Sequence, residues 1–186
     1  MCNRYGYNSP LSRLVELFAD RNLPFHWPDA RPNLAPLDEI HPTDPAPVIV
    51  GDGDGVRLEQ MRWGFPPPRP KAGPVINFRS EGRRFSHGRC LVPATHFFEF
   101  TGTKYPKTKW RCEVAGEEMF CIAGLRRDDR FTLLTCDPGP DIAPLHDRQV
   151  VILKPADWAD WLSDKPESGV ALTALPEGSI VTRQDA

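Results

Sequence analysis

At 186 residues and 20.9 kDa the chain has the length of one domain and can bury a core without disulfide staples, so a two-domain arrangement is not expected. Hydrophobic residues make up 40% of it and the longest apolar runs, such as Val150 to Leu153, are only a few residues, which excludes a transmembrane helix. The net charge of -2 hides a basic centre: Arg57 to Arg111 carries twelve Lys and Arg against three acids, Glu59, Glu81 and Glu99, and the flanks are acidic.

The opening Met1-Cys2-Asn3-Arg4-Tyr5 carries no apolar leader, so a cytoplasmic protein is expected in a bacterium. A helix comes first. Ser9 suits its N-cap and Pro10 its first position, and Leu11, Leu14, Val15, Leu17 and Phe18 form an apolar stripe ending near Asn22. Residues 23–47 hold seven prolines and little periodicity, and read as irregular backbone wrapped on a core. Segments 46–50 and 56–63 flank Gly51-Asp52-Gly53-Asp54-Gly55, a hairpin signal too short for a calcium loop. Further strands are predicted over 75–79, 96–100, 110–114, 119–125, 131–136, 150–153 and 179–183, with a short helix over 155–162. Eight or nine strands, two peripheral helices and no β-α alternation predict a single α+β domain over residues 1–186, built on a mostly antiparallel, barrel-like sheet.

The five cysteines are odd in number and contain no C-x-x-C pair, so neither a disulfide framework nor a metal site is indicated, and no cofactor is expected. Cys90, Cys112, Cys121 and Cys136 sit among apolar neighbours as core thiols. With no phosphate loop, nucleophile elbow or H-E-x-x-H, a site has to be assembled from scattered residues.

Cys2 is the first of these. Removal of Met1 would leave an α-amine and a thiol on one residue, a 1,2-aminothiol that condenses with an aldehyde to an imine and closes to a thiazolidine; the alternative is an incidental cysteine on a frayed terminus. Asn77 and Arg79 share one face of a predicted strand, which would line a site or simply face water. Glu99 lies within Phe97-Phe98-Glu99-Phe100, where aromatic surroundings raise a carboxyl pKa towards neutrality; the alternative is a solubilising edge charge. His146, in a loop before a strand, is either a proton carrier or structural. Arg outnumbers Lys seventeen to six, which suits phosphate or base contacts and is equally compatible with a solvated face.

Taken in order, Met1-Cys2-Asn3-Arg4, Asn33-Leu34-Ala35-Pro36, Met61-Arg62-Trp63-Gly64-Phe65, Asn77-Phe78-Arg79-Ser80-Glu81, Arg89-Cys90-Leu91-Val92-Pro93-Ala94, Phe98-Glu99-Phe100, Ile122-Ala123-Gly124-Leu125, Phe131 to Thr135 and His146-Asp147-Arg148 resemble the SOS-response-associated peptidase family of abasic-site processing proteins. The resemblance implies covalent capture of abasic sites in single-stranded DNA by a monomer, with no metal and no membrane. Carried over by position, it implies Cys2 as crosslinking nucleophile, Asn77 as the amide holding the terminal amine and the ring, Glu99 as proton relay, and His146 as the acid that opens the sugar. It implies Arg4, Arg79 and Arg148 as phosphate contacts, and Trp63, Asn33 and Pro36 as the DNA-side pocket.

The chain departs from the family pattern in two places that touch DNA contacts. Phe65-Pro66-Pro67-Pro68 stands where many members carry a second Trp, and Gln149-Val150 follows Arg148 in place of Met-Pro. Two rival functions remain at this level: an N-terminal cysteine peptidase or amidohydrolase using the same Cys2, and a non-enzymatic single-stranded DNA-binding module resting on the basic centre.

Overall fold

The computed structural model describes residues 2–185. Along the chain run β1 (Tyr5–Tyr7), α1 (Leu11–Ala19), β2 (Leu37–Ile40), β3 (Pro45–Asp52), β4 (Gly55–Trp63), β5 (Asn77–Arg79), β6 (Arg89–Ala94), β7 (His96–Thr101), β8 (Thr108–Val114), β9 (Phe120–Arg127), β10 (Arg130–Cys136), β11 (Gln149–Val150), β12 (Ile152–Leu153), α2 (Trp158–Leu162) and β13 (Ile180–Asp185). One sheet has the order β13-β8-β7-β1-β2 and is antiparallel throughout. The other has the order β11-β10-β4-β3-β6-β9-β12, with β5 added on β10. Because β10 pairs with β9 as well as β4, the circuit β10-β4-β3-β6-β9 returns on itself.

The α+β class stands, and the strand pairings are mostly antiparallel, with one strand as the exception. β10 runs parallel to both β4 and β5, so the second sheet is mixed. The residues explain the strands. β3 is buried on both faces from Ala46 to Val50 and reads as a continuous apolar run, whereas β4 alternates at its end, Met61 and Trp63 inward and Gln60 and Arg62 outward. The hairpin between them turns at Gly53, whose φ of 62° favours glycine.

Several boundaries differ from expectation. Ser9 does not cap α1: Pro10 is extended, and the buried Ser9 hydroxyl donates to Glu118 Oε1 at 3.2 Å. The stretch 23–47 is not wholly irregular, since β2 and the start of β3 lie within it. β1, β2 and β6 were absent from the expected strands; β1 and β2 are too short for periodicity, and Pro93 masks β6. β6 tolerates that proline because it pairs along its length with β9 and with β3 only at Leu91. The expected strand over 150–153 is two short strands, β11 on β10 and β12 on β9, broken at Val151.

Two packing features bring the chain start against β5. Gly6 lies so close to β7 that a Cβ there would come within 2.3 Å of the His96 ring, which bridges Thr95 Oγ1 at 2.9 Å and the Asp38 carbonyl at 2.8 Å. Beneath β1, the buried Trp63 packs edge-on against Tyr5 at 5.1 Å, and its indole N–H donates to the Ile76 carbonyl at 2.9 Å, just before β5.

Candidate active site

The site forms where the two sheets meet. Cys2 leads into β1, and the Arg4 carbonyl accepts from the Phe98 amide of β7 at 2.9 Å and from the Cys2 thiol at 3.2 Å. From the other sheet, Asn77 Nδ2 on β5 donates to the Cys2 carbonyl at 2.7 Å. Asn77 Oδ1 is buried and has no hydrogen-bond partner among the described residues. An acceptor left in this state within reach of the Cys2 backbone is poised for an incoming N–H or O–H. Cys2 is 0% exposed, so it does not lie on a frayed end.

Glu99 is buried on β7, on the strand face it shares with Phe97, while Phe98 and Phe100 take the other. Burial pushes its carboxyl up to about 7, and the charge of Asp147 adds to the rise. Burial also holds the Cys2 thiol far above its ordinary range, and the neighbouring Glu99 charge pushes it further. His146 is partly buried, which lowers its pKa, while Asp147 opposes that shift. Its Nδ1 lies 2.7 Å from Asp147 Oδ1 and 3.1 Å from the Arg148 amide. Those two partners suit two protonation states: the neutral ring accepts from the amide, and the charged ring donates to the carboxylate.

Of the expected DNA-side residues, Asn33 and Pro36 are exposed on the approach to β2, beside the buried anchor Leu34. Arg79 is exposed at the end of β5 and forms no ion pair among the described residues. Arg4 lies over the Phe100 ring at 5.2 Å and pairs with Glu39 at 3.2 Å, so a phosphate there competes with a carboxylate.

One expectation is corrected, and a second DNA-side residue lies deeper than expected. Trp63 is fully buried with its N–H satisfied, so it sits under the site and positions β1 against β5 instead of lining a DNA pocket. The glycine after it is required by the fold: Gly64 has a φ of 110°, and a Cβ would lie 2.9 Å from Pro74 Cβ. Arg148 is also buried. Its guanidinium forks onto Glu81, with contacts of 2.5 and 2.8 Å, and reaches Asp137 at 2.7 Å and the Thr135 carbonyl at 2.9 Å, so its charge is compensated within the protein. Sequence reading had no signal for this pairing, because Glu81 lies 67 positions away.

Arg148→Met is therefore expected to cost stability, about 2 kcal/mol, below the roughly 3–5 kcal/mol of a fully buried pair because Glu81 and Asp137 keep contact with water. The hydrogen bond from Arg148 holds Glu81 down to about 2, so this contribution is present above pH 4.5 and fades as pH falls towards 2. Urea unfolding at pH 7 and pH 3 measures it; a variant that is fully stable yet weak in DNA binding would make phosphate contact the main role of Arg148.

The comparisons with known proteins fit this geometry. A family model described as SOS response associated peptidase (SRAP) matches residues 1–181. The chain belongs to the SRAP family. Among SRAP relatives, the abasic site processing protein YoqW of Bacillus subtilis is 29% identical over 189 residues, covering 89% of this chain and 81% of its own length. The abasic site processing protein YedK of Escherichia coli is 24% identical, covering 99% and 89%. Among solved structures, a protein of Bacteroides thetaiotaomicron superposes with a TM-score of 0.75 at 15% identity over 98% of this chain and 91% of that one. A phage-related protein of Bordetella bronchiseptica does so with a TM-score of 0.72 at 24% identity over 99% and 94%. Both share the fold of this SRAP domain. No cluster of three or more His, Cys, Asp or Glu suited to a metal ion occurs among the described residues, and no helix is long and apolar enough to cross a membrane.

Proposed function

We propose that this chain captures abasic sites in single-stranded DNA as a covalent thiazolidine on Cys2, after removal of Met1, and so shields the lesion during DNA repair. The observation that carries the reading is the arrangement of Cys2, a buried residue whose backbone carbonyl accepts from Asn77 and whose thiol neighbours the carboxyl of Glu99. The printed names of YoqW and YedK, both abasic site processing proteins, support it.

Each step has a group to serve it. His146 in its charged form protonates the ring oxygen of the closed abasic sugar, the C1–O bond breaks, and the C1 hydroxyl releases its proton to water to leave the aldehyde. The Cys2 amine adds to that carbon, and loss of one water leaves an imine. The thiol sulfur then attacks the imine carbon, its proton passing through Glu99 to the nitrogen, which closes the five-membered ring. Asn77 Oδ1 is the acceptor for the N–H of the amine and of the finished ring. Arg79 and Arg4 meet flanking phosphates, and Asn33 and Pro36 form the rim.

The peptidase alternative fits less well on one physical point. A cysteine peptidase needs a thiol whose pKa is depressed by a neighbouring cation, and here burial and a carboxylate raise it. An amine that attacks first does not need the thiolate. The deciding experiment mixes Met1-processed protein with an oligonucleotide bearing an abasic site and looks for a band that survives denaturation. Hydrolysis of peptides without any such band would favour the peptidase, and retained affinity without either would leave a binding module.

The acid role of His146 is read from rates. His146→Ala is expected to slow single-turnover capture by about 10²-fold to 10⁴-fold while the final yield stays high. Because the His146 pKa lies below its ordinary value, wild-type capture should already fall as pH rises through neutrality. An unchanged rate in the variant would remove the assignment.

A further inference from the structure

On the face of β5 opposite Asn77 lies a groove of about 600 Å³. Its walls include Phe65, Val75, Phe78, Phe85, Arg83 and Arg127. Two of its arginines already lie over aromatic rings: Arg83 over Phe78 at 4.6 Å and Arg127 over Phe65 at 4.7 Å. Neither forms an ion pair among the described residues, although both are exposed; the third arginine, Arg84, is held by Glu167 at 2.6 Å.

This combination selects its ligand. An arginine stacked on a ring keeps its outer face open for a second flat group and turns its N–H edges outward, where an anion can meet them. Half-buried phenylalanines with two uncompensated cations match a flat heterocycle joined to a phosphate, the repeating unit of an unpaired nucleic-acid strand. The groove and the site lie on the two faces of one short strand: Asn77, Phe78 and Arg79 are consecutive, and the exposed Arg79 stands at the end of β5, which among the described residues pairs only with β10. A strand held at Cys2 can pass over Arg79 and reach the groove.

We propose that this groove is a second DNA subsite, which seats an unpaired nucleotide flanking the captured lesion, its base against the arginine-covered rings of Phe65 and Phe78 and its phosphate on Arg83 and Arg127. The proposal rests on the DNA reading of the function and assigns a place to part of the basic centre. It also gives Phe65-Pro66-Pro67-Pro68 a use, since Phe65, Pro66 and Pro68 line the groove where the family pattern often has a second Trp.

The test uses the full chain and two probes: intact dT12, and a trinucleotide with a central abasic site that is too short to fill the groove. Arg83→Gln/Arg127→Gln is expected to weaken dT12 binding about tenfold at low salt and to reduce the slope of log affinity against log salt by about 0.7, the value for one phosphate contact on a single strand. Phe65→Ala is expected to weaken dT12 binding by about tenfold, with little change in slope. Arg13→Gln, on α1 and paired with Glu16 and Glu118, should leave it unchanged. Adduct formation with the trinucleotide should match wild type in all three. Unchanged dT12 affinity in both groove variants overturns the subsite, whereas failure of the wild type to form any adduct overturns the crosslinking reading and leaves the dT12 result to judge the groove by itself.

Discussion

Cys2→Ala is expected to yield no denaturation-resistant adduct with abasic single-stranded DNA, and Cys2→Ser is expected to behave alike. The reason lies in which atoms close the ring. The amine belongs to the backbone and survives both substitutions, so the imine still forms, but an imine hydrolyses and only sulfur converts it to a stable thiazolidine. Borohydride added during the reaction should therefore trap a reduced adduct with both variants, provided Met1 has been removed. Asn77 keeps its grip on the residue-2 carbonyl in either variant, because that bond is to backbone. Protein that retains Met1 should form no thiazolidine, since its residue-2 nitrogen is an amide and cannot share an imine carbon with the thiol. A stable adduct from Cys2→Ala without reductant would place the crosslink on another group and end the thiazolidine reading.

Glu99→Gln is expected to change stability and chemistry in opposite directions. Burial raises the Glu99 carboxyl from an ordinary 4.5 to about 7, so the folded protein holds a proton that the unfolded chain releases. Its contribution is fully present below pH 4.5 and is lost as pH rises to about 7, above which a charge sits in a buried position. At 1.36 kcal/mol for each tenfold change in proton affinity, the native state at pH 8 carries a cost of about 3 kcal/mol that glutamine removes. The variant should be the more stable protein by about that amount at pH 8 and no more stable than wild type at pH 4.5, as judged by urea unfolding at the two values. Ring closure and reopening both need a proton carrier at this position, so the finished crosslink of Glu99→Gln should exchange more slowly against excess abasic DNA. A stability difference that does not vary with pH would mean that Glu99 is charged throughout and cannot relay protons near neutrality. A group that costs stability in the resting protein is typical of a functional position.

The class of the fold, the hairpin at Gly53, helix α1 and most longer strands were legible in the sequence because they rest on local signals, namely apolar periodicity and turn chemistry that a short window contains. Cys2, Asn77, Glu99 and His146 were legible as an ordered set of residue types, without any indication of how they meet. What only the tertiary structure decided is burial and long-range partnership. Tyr5–Tyr7 is a strand because β7 and β2 flank it, not because three residues carry a pattern. Trp63 and Arg148 are residue types that favour DNA surfaces, yet both are inside, one filling the space between Tyr5 and Phe131 and the other neutralised by Glu81 and Asp137. The groove of Phe65, Phe78, Arg83 and Arg127 draws on three separated stretches of chain. Residue type and local periodicity are properties of the chain, whereas the exposure of a side chain, the charge that faces it and the pKa that results depend on which distant strand lies alongside.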